Sequence, residues 1–552
     1  MSSSAGRAAY LLGLLDGPIQ ARLKTLEQEA WPQRVFAGDA ALWGSDEGLA
    51  GRLGWLTAAE DAQAHLPGLR DFAERAHSDG FTHAVVLAMG GAALAPACLQ
   101  QAFGQRPDHL RTLVLDQTTP ADIRALEAEL PLPQTLFLVA SQSGHTLESG
   151  AFHAYFEQRL GGRAGARQFC AITQEGSSLA ARAKANGFRE IFLTPASIGD
   201  RYTALSLFGL VPAALGGADL EALLGRAREM SRLARLPAAA ENPGLRLGAI
   251  LGEACLAGHD KLTLIVNDKL AAFGAWVEQL VAESTGKSGK GIVPVDGEPL
   301  ALGDSYADDR LFVGILLGDH DPLEPRLRAL AGPSRPVVIF KLRDTLDLGA
   351  ELFRWQFGTA VAGAVLGVNP FDEPNVGDSK RHTLRLLGEA PLPEGQTFAS
   401  ALRAVGPAGE LQSAAVELKK WVESARRGDY LSLEAYLPET PSVVAGLREL
   451  RVSLRDKTKR ATTLGFGPRC LHATGQLHKG GPDTGLFLQL TGTPDAVGGE
   501  LPIPGAGYGF GRLIAAQAAG DREALRGKGR RLLHLELSDA RAGLRELSKA
   551  LS

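Results

Sequence analysis

The stretch HAVVLAMG (83–90) is an almost unbroken apolar run that leads directly into the glycine turn of MGGAALAP (89–96). A run this short, bounded by glycine, reads as a strand buried on both faces, as in a parallel sheet covered by helices. Four similar runs follow: TLVLD (112–116), TLFLVAS (135–141), FCAIT (169–173) and IFLT (191–194). The segments between them are helix-length and polar on one side. Strands alternating with amphipathic helices predict an α/β, doubly wound parallel sheet.

Working outward, a second series of the same kind begins near Lys261, with LTLIVND (262–268), GIVPVD (291–296), LFVGILLG (311–318) and PVVIFKL (336–342). Long helices, LAAFGAWVEQLVAES (270–284) and DLGAELFRWQFGTAVAGAVLG (347–367), separate the runs. Beyond GEAPLPEGQTF (388–398), which reads as a linker, a third unit carries strand candidates at 430–437, 462–466, 485–492 and 531–537 and ends in the helix DARAGLRELSKALS. Upstream of residue 80 the apolar spacing is helical, and AAYLLGLL is read as the first turns of an amphipathic helix. The expected division is a helical N-terminal region at 1–80, α/β domains at 81–238 and 239–390, and a helical linker with a C-terminal α/β unit at 391–552.

Bulk composition narrows the class. At roughly 100–200 residues per domain, 552 residues suit three or four domains, and 45% hydrophobic content allows large cores. The 58 basic and 62 acidic residues nearly cancel, giving net charge −4, which argues against the basic footprint of a nucleic-acid binder. Cys98, Cys170, Cys255 and Cys470 are widely spaced, with no metal-ligand or redox pair among them. The apolar patch near the N-terminus is too short to span a bilayer. The expectation is a cytoplasmic protein with neither nucleic-acid nor membrane partners.

In open α/β sheets, ligands bind beyond the carboxyl ends of the strands. After the first strand, Gly91 and its glycine neighbour let backbone approach an anion at a helix start; a plain strand-to-helix turn has the same signature. In SQSGHTLES (141–149), Ser141, Ser143 and Thr146 sit with Gly144 at another such junction, a denser set of small donors suited to a phosphate. In SIGDRYTALS (197–206), Arg201 follows a flexible turn and either reaches an anion or lies on the surface. In WVEQLVAESTGKSGKG (276–291), Gln279 and Glu283 share a helix face, and Glu283 near the helix end suits a general base or a solvated surface position. Lys380, in NPFDEPNVGDSKRHT (369–383), falls roughly two turns into a new helix, a position usually facing solvent.

The order of these motifs resembles the phosphoglucose isomerase family, built from two sugar-isomerase (SIS) domains, and runs nearest to the isomerase half of bifunctional transaldolase/phosphoglucose isomerase proteins. No transaldolase half is expected within these residues. The resemblance implies an α/β fold of two SIS-type doubly wound parallel-sheet domains, with a C-terminal α/β unit and a helical N-terminal extension. It implies aldose–ketose isomerisation of glucose 6-phosphate and fructose 6-phosphate through a cis-enediol, without metal or cofactor. It assigns Glu283 as the base, Arg201 to enediolate charge, Lys380 to the ring oxygen, Gln279 to substrate placement, and Ser141, Ser143 and Thr146 to the phosphate. A homodimer and a functional pairing with a transaldolase are also implied.

The chain departs from the family pattern at three places. Ala92 stands where a serine is usual, Gln142 where a lysine is usual, and Asp200 where a glycine is usual. Fewer positive charges should weaken phosphate binding. These departures keep two alternatives open: an isomerase of another anionic sugar, such as a sulfosugar, or a non-catalytic sugar-phosphate-binding regulator. The family's ring-opening histidine has no counterpart between Glu283 and Lys380, where His320 is the one histidine and its context does not match. His472 and His478 in the third unit are possible substitutes, with local structural bonding the expected role of both.

Overall fold

The computed structural model describes residues 7–44, 49–388, 401–403 and 408–551. The proposed linker at 388–398 falls almost wholly outside them.

The first apolar series forms the strands β2 (His83–Leu87), β3 (Arg111–Leu115), β4 (Thr135–Ala140), β5 (Phe169–Gln174) and β6 (Glu190–Thr194). They pair in parallel in the order β3-β2-β4-β5-β6. Every residue of β4 is buried, which is why the run shows no polar alternation. The order reverses between β2 and β4. The glycine turn and the 141–146 loop therefore leave the sheet on either side of the crevice where doubly wound folds bind ligands.

The second series forms β7 (Lys261–Val266), β8 (Val293–Val295), β9 (Arg310–Leu317) and β10 (Val337–Leu342), parallel in the order β10-β9-β7-β8. A fifth strand corrects the helical reading of the N-terminus. Residues Arg7–Leu11, β1, pair antiparallel with β10, Ala9 opposite Ile339. A short apolar run cannot by itself distinguish strand from helix. Here the open edge of β10 supplies hydrogen-bond partners, and Tyr10 packs edge-on to Phe340 at 6.4 Å.

The third unit contains β12 (Tyr430–Tyr436), β13 (Ala461–Phe466), β14 (Gly485–Gly492) and β15 (Arg531–Leu537), with the short β11 (Ala401–Arg403) on its edge. All are parallel, in the order β11-β15-β14-β12-β13. The C-terminal helix Ala540–Leu551 covers one face.

The three sheets are packed together. One apolar cluster runs from the N-terminal helices through the first and second sheets and includes Trp55, Leu138, Trp276 and Trp355. Leu501, Ile503, Phe510 and Leu513 of the third unit join the core on the other face of the first sheet. Leu477 and Phe487 join Ala282 and Val295 of the second. A Cβ on Gly286 would run into the backbone of Leu477, so this glycine lets the third unit sit directly on the turn after Glu283. Among the described residues no helix is long and apolar enough to cross a membrane.

Candidate active site

The first sheet contributes two loops of different character. At the glycine turn, Gly90 has φ +59° and precedes the helix Gly91–Phe103. The Gly91 N–H, the donor proposed for an anion, is already taken: it donates to Asp200 Oδ2 at 2.6 Å. A Cβ at Gly91 would collide with the Asp200 carbonyl, so glycine here permits the two chain segments to touch. Ala92 is buried within the main core.

The 141–146 loop keeps its donors. Ser141 Oγ lies 2.8 Å from Thr146 Oγ1 and accepts the Gly144 N–H at 3.0 Å. Thr146 is the N-cap residue of the helix Leu147–Arg159 but makes no side-chain cap. The Thr146 side chain thus takes none of the first amides of that helix, and helix starts of this kind are the usual setting for an anion. Ser143 is exposed and accepts the His145 N–H at 3.3 Å. Gln142 turns away: its Nε2 donates to the Pro195 and Ile198 carbonyls at 3.1 and 3.0 Å, and its Oε1 accepts from Thr194.

Arg201 lies on the turn Asp200–Leu205 and is 2% exposed, so the surface alternative is excluded. Its guanidinium donates to Ser284 Oγ at 3.0 Å, Glu373 Oε2 at 2.9 Å, and the Pro370 and Asp372 carbonyls at 2.7 and 2.9 Å. It also lies 3.6 Å from Glu283 Oε2. This arginine clamps the 369–373 segment to the end of the helix Ala271–Thr285. Lys287 grips the same segment through the Asn369 and Asp372 carbonyls and, at 2.6 Å, Asp372 Oδ1. Behind the clamp, Tyr202 packs between Trp55 and Phe371, with ring centroids at 5.1 and 5.4 Å. The N-terminal region thus wedges the site from outside.

Gln279 and Glu283 project from the helix Ala271–Thr285 and are 1% and 6% exposed. Gln279 Nε2 lies 2.8 Å from the His472 carbonyl and 3.4 Å from both Asp200 Oδ2 and Glu283 Oε2. Its Oε1 is buried with no hydrogen-bond partner among the described residues. Native structures rarely leave such an acceptor unmet, and a ligand hydroxyl would satisfy it. Burial pushes the Glu283 carboxyl well above the ordinary range; the Arg201 charge opposes that shift, and Glu373 and Asp200 add to it. A raised carboxyl pKa at a buried site is the usual tuning of a general base.

The third unit supplies what the sequence reading undervalued. His472, from the segment after β13, pairs through Nε2 with Glu148 Oε1 at 3.1 Å. Gln517 donates to the same oxygen at 2.6 Å. Burial pushes the His472 pKa down most strongly of any one influence, but the charge and hydrogen bond of Glu148, with the Asp200 charge, together hold the ring above its ordinary value. Glu148 is lowered in return, His472 overcoming its burial. Lys380 lies on the helix Val376–Gly388, in its second turn rather than after two, and is exposed. Its charge bears on both Glu148 and His472.

His478 is different. It is buried against Glu434 at 3.1 Å, and burial lowers its pKa to about 3, so it is neutral and structural. His320 lies on an exposed turn after β9. The structure therefore brings Glu283, Gln279, Arg201, Asp200, His472 and Glu148 into one network. The 141–146 loop joins it through Glu148, two residues beyond Thr146. Glu148, Glu373 and Gln517 carried no sequence signal, since each reads as an ordinary polar residue on a helix or turn.

A family model described as phosphoglucose isomerase matches residues 60–302, from the end of the N-terminal region into the second sheet. Glucose-6-phosphate isomerase of Rubrobacter xylanophilus is 30% identical over 380 residues, covering 59% of this chain and 87% of that protein. The enzyme of the same name from Thermosynechococcus vestitus is 34% identical over 259 residues, covering 44% of this chain and 48% of that protein. Among solved structures, a hypothetical protein of Thermus thermophilus superposes with TM-score 0.59 at 25% identity, covering 69% of this chain and all of that one. A glucose-6-phosphate isomerase from Chlamydia trachomatis superposes with TM-score 0.61 at 20% identity, covering 70% of this chain and 89% of that one, and at that identity supports the fold alone. Taken with the buried glutamate and the hydroxyl-lined loop, the match across most of the Rubrobacter protein establishes that this chain belongs to the phosphoglucose isomerase family.

Proposed function

We propose that the protein interconverts glucose 6-phosphate and fructose 6-phosphate by moving a proton between neighbouring carbons through a cis-enediol. The observation that carries this reading is the buried Glu283 carboxylate, 3.4 Å from a Gln279 amide whose own oxygen awaits a donor. Proton transfer beside a carbonyl needs one base and fixed partners for the developing negative charge. Glu283 supplies the base. Arg201 stands 3.6 Å from it with most of its donors engaged, so it acts on the enediolate mainly through the field of a buried charge. Ser141, Ser143, Thr146 and the adjacent helix amides hold the phosphate, and Gly91 serves by fixing Asp200. His472 and Lys380, on the side of Glu148, open the sugar ring.

A coupled assay that starts from fructose 6-phosphate and detects glucose 6-phosphate tests the reading; absence of product at high enzyme concentration would refute it. A second reading keeps the chemistry and changes the anion. The hydroxyl donors of the loop, Ser141, Ser143 and Thr146, carry no charge, which suits a sulfonate as well as a phosphate. Turnover of a sulfosugar with negligible turnover of fructose 6-phosphate would favour it. Ligand binding with no turnover of either would favour a regulator. A cytoplasmic homodimer and a functional pairing with a separate transaldolase complete the proposal. Light scattering on the purified protein tests the dimer, and co-purification with a transaldolase tests the pairing.

A further inference from the structure

Beneath His472 lies a buried polar network that the reaction just described leaves unused. Its centre is Asp521, on the helix Phe510–Gly527, 1% exposed. Asp521 Oδ1 pairs with Lys479 Nζ at 2.8 Å and accepts from Ser379 Oγ at 3.2 Å. Glu434, at the carboxyl end of β12, hydrogen-bonds to Asp521 and is pushed far up by burial and by that neighbouring carboxylate. Glu434 therefore carries a proton and donates it to Asp521. Burial would raise the Asp521 pKa, but Lys479 outweighs it, so Asp521 stays ionised.

Each partner of Asp521 adjoins a site residue. Ser379 precedes Lys380 on the helix Val376–Gly388. Lys479 belongs to the short helix Gly475–Gly480, which starts three residues beyond His472. Gln517, one turn before Asp521 on its own helix, donates to Glu148, which holds His472. Close helix approach makes this possible. A Cβ on Gly520 would lie 2.7 Å from Thr383 Oγ1 and 3.1 Å from the Ser379 carbonyl.

We propose that Asp521 is a positioning residue for ring opening, a buried anchor that sets Lys380 and His472 relative to each other while making no direct bond to Glu283. The proposal rests on the isomerase reading above and goes beyond it by separating two halves of the reaction. Lys380 and His472 act on the closed ring, whereas Glu283 acts on the open chain and is held by Arg201 and Gln279. An isolated change at Asp521 therefore damages the ring-opening half more than the proton-transfer half, to which it connects through the Gln279 bond to the His472 carbonyl. General acid–base groups moved by a fraction of an ångström lose much of their rate.

The experiment compares Asp521→Asn and Ser379→Ala with the parent on two substrates: glucose 6-phosphate, which is mostly a pyranose, and a four-carbon aldose 4-phosphate, whose phosphorylated terminal oxygen cannot close a five-membered ring. The expected result for Asp521→Asn is a kcat on glucose 6-phosphate lower by roughly 10- to 100-fold, with KM within about twofold and open-chain turnover within about threefold of the parent. Ser379→Ala, which removes one tether, is expected to lose about threefold on glucose 6-phosphate alone, and it decides the matter if Asp521→Asn does not fold. Equal losses on both substrates, a loss confined to KM, or no loss would overturn the proposal. A parent that turns over neither substrate would instead remove the isomerase reading and the proposal with it.

Discussion

The 141–146 loop and the 469–480 segment both leave the carboxyl end of a parallel strand, β4 in one case and β13 in the other. There the likeness ends. The first is made of hydroxyls and backbone amides, has no side-chain cap at its helix start, and is partly open to solvent. The second is a polar network in which His472 and Lys479 meet the carboxylates of Glu148 and Asp521 at 3.1 and 2.8 Å, and the neutral His478 meets Glu434 at 3.1 Å. A neutral loop can accept and release an anion without leaving a buried charge unpaired. A buried network cannot move cheaply, because losing one partner leaves the other uncompensated. On the proposed reading, the comparison separates binding from chemistry: the 141–146 loop of the first sheet would hold the anion, and Glu283, His472 and Lys380, from the other two units, would act on the sugar.

The largest effect should come from the chemical side. Glu283→Gln keeps the shape and the hydrogen-bonding reach of the side chain while removing the base. It is expected to lower kcat by at least about a thousandfold with unchanged circular dichroism; substantial turnover in this variant would remove Glu283 from its role. Next, His472→Ala is expected to reduce turnover of the cyclic substrate by about 100-fold while KM changes little. Glu148→Gln sharpens that result. With its carboxylate partner gone, His472 loses the main interaction that opposes burial, so any limb of the pH–rate profile set by His472 should move to lower pH. A limb that stays in place would show that His472 does not set it.

The binding side should answer differently. Thr146→Val and Ser141→Ala are expected to raise KM by about tenfold, the worth of one or two hydrogen bonds to a charged group, with kcat nearly constant. A fall in kcat without a change in KM would place the anion elsewhere.

The smallest effect concerns how the third unit docks. Burial, with the neighbouring Asp296 charge, raises Glu278 to about 8, and burial raises Asp296 to about 6, with Arg451 of the third unit opposing both shifts. For a carboxyl whose folded pKa lies above its unfolded value, the stabilisation is complete below the unfolded pKa and is lost as pH rises through the folded one. The melting temperature should therefore fall as pH rises from 6 to about 8.5, and Glu278→Gln should remove most of that slope. A slope identical in the variant would exclude Glu278 as its source.

The loop and the network also differ in how visibly they were written in the chain. Ser141, Ser143, Gly144 and Thr146 are neighbours in sequence, and their small side chains at a strand-to-helix junction announce an anion site. Gln279 and Glu283 are likewise coupled by a single helical turn. The partners of His472 are not local: Glu148 is 324 residues away, and Gln517 is 369 residues from Glu148. No window of sequence contains such a pair. The rule that ligands gather at strand carboxyl ends served the first sheet but not the second. There Val293 opens β8 opposite Lys261, the first residue of β7, so the helix bearing Glu283 has already run back to the starting edge of its sheet.

What the chain determines by itself is the alternation of buried runs with amphipathic helices, and with it three parallel sheets, because strand burial and helix periodicity are local properties. It also determines which residue types gather at each loop. Only the tertiary structure decided that Arg7–Leu11 would be a strand, because the open edge of β10 supplies its partners. Only packing decided that Asp200 would take the Gly91 amide, that Arg201 would be a buried clamp, and that of two nearby histidines His472 would enter the site while His478 stayed in the core. Each of these outcomes turns on where a distant carboxylate or backbone edge is placed, and burial makes such pairings obligatory without marking them in the local sequence.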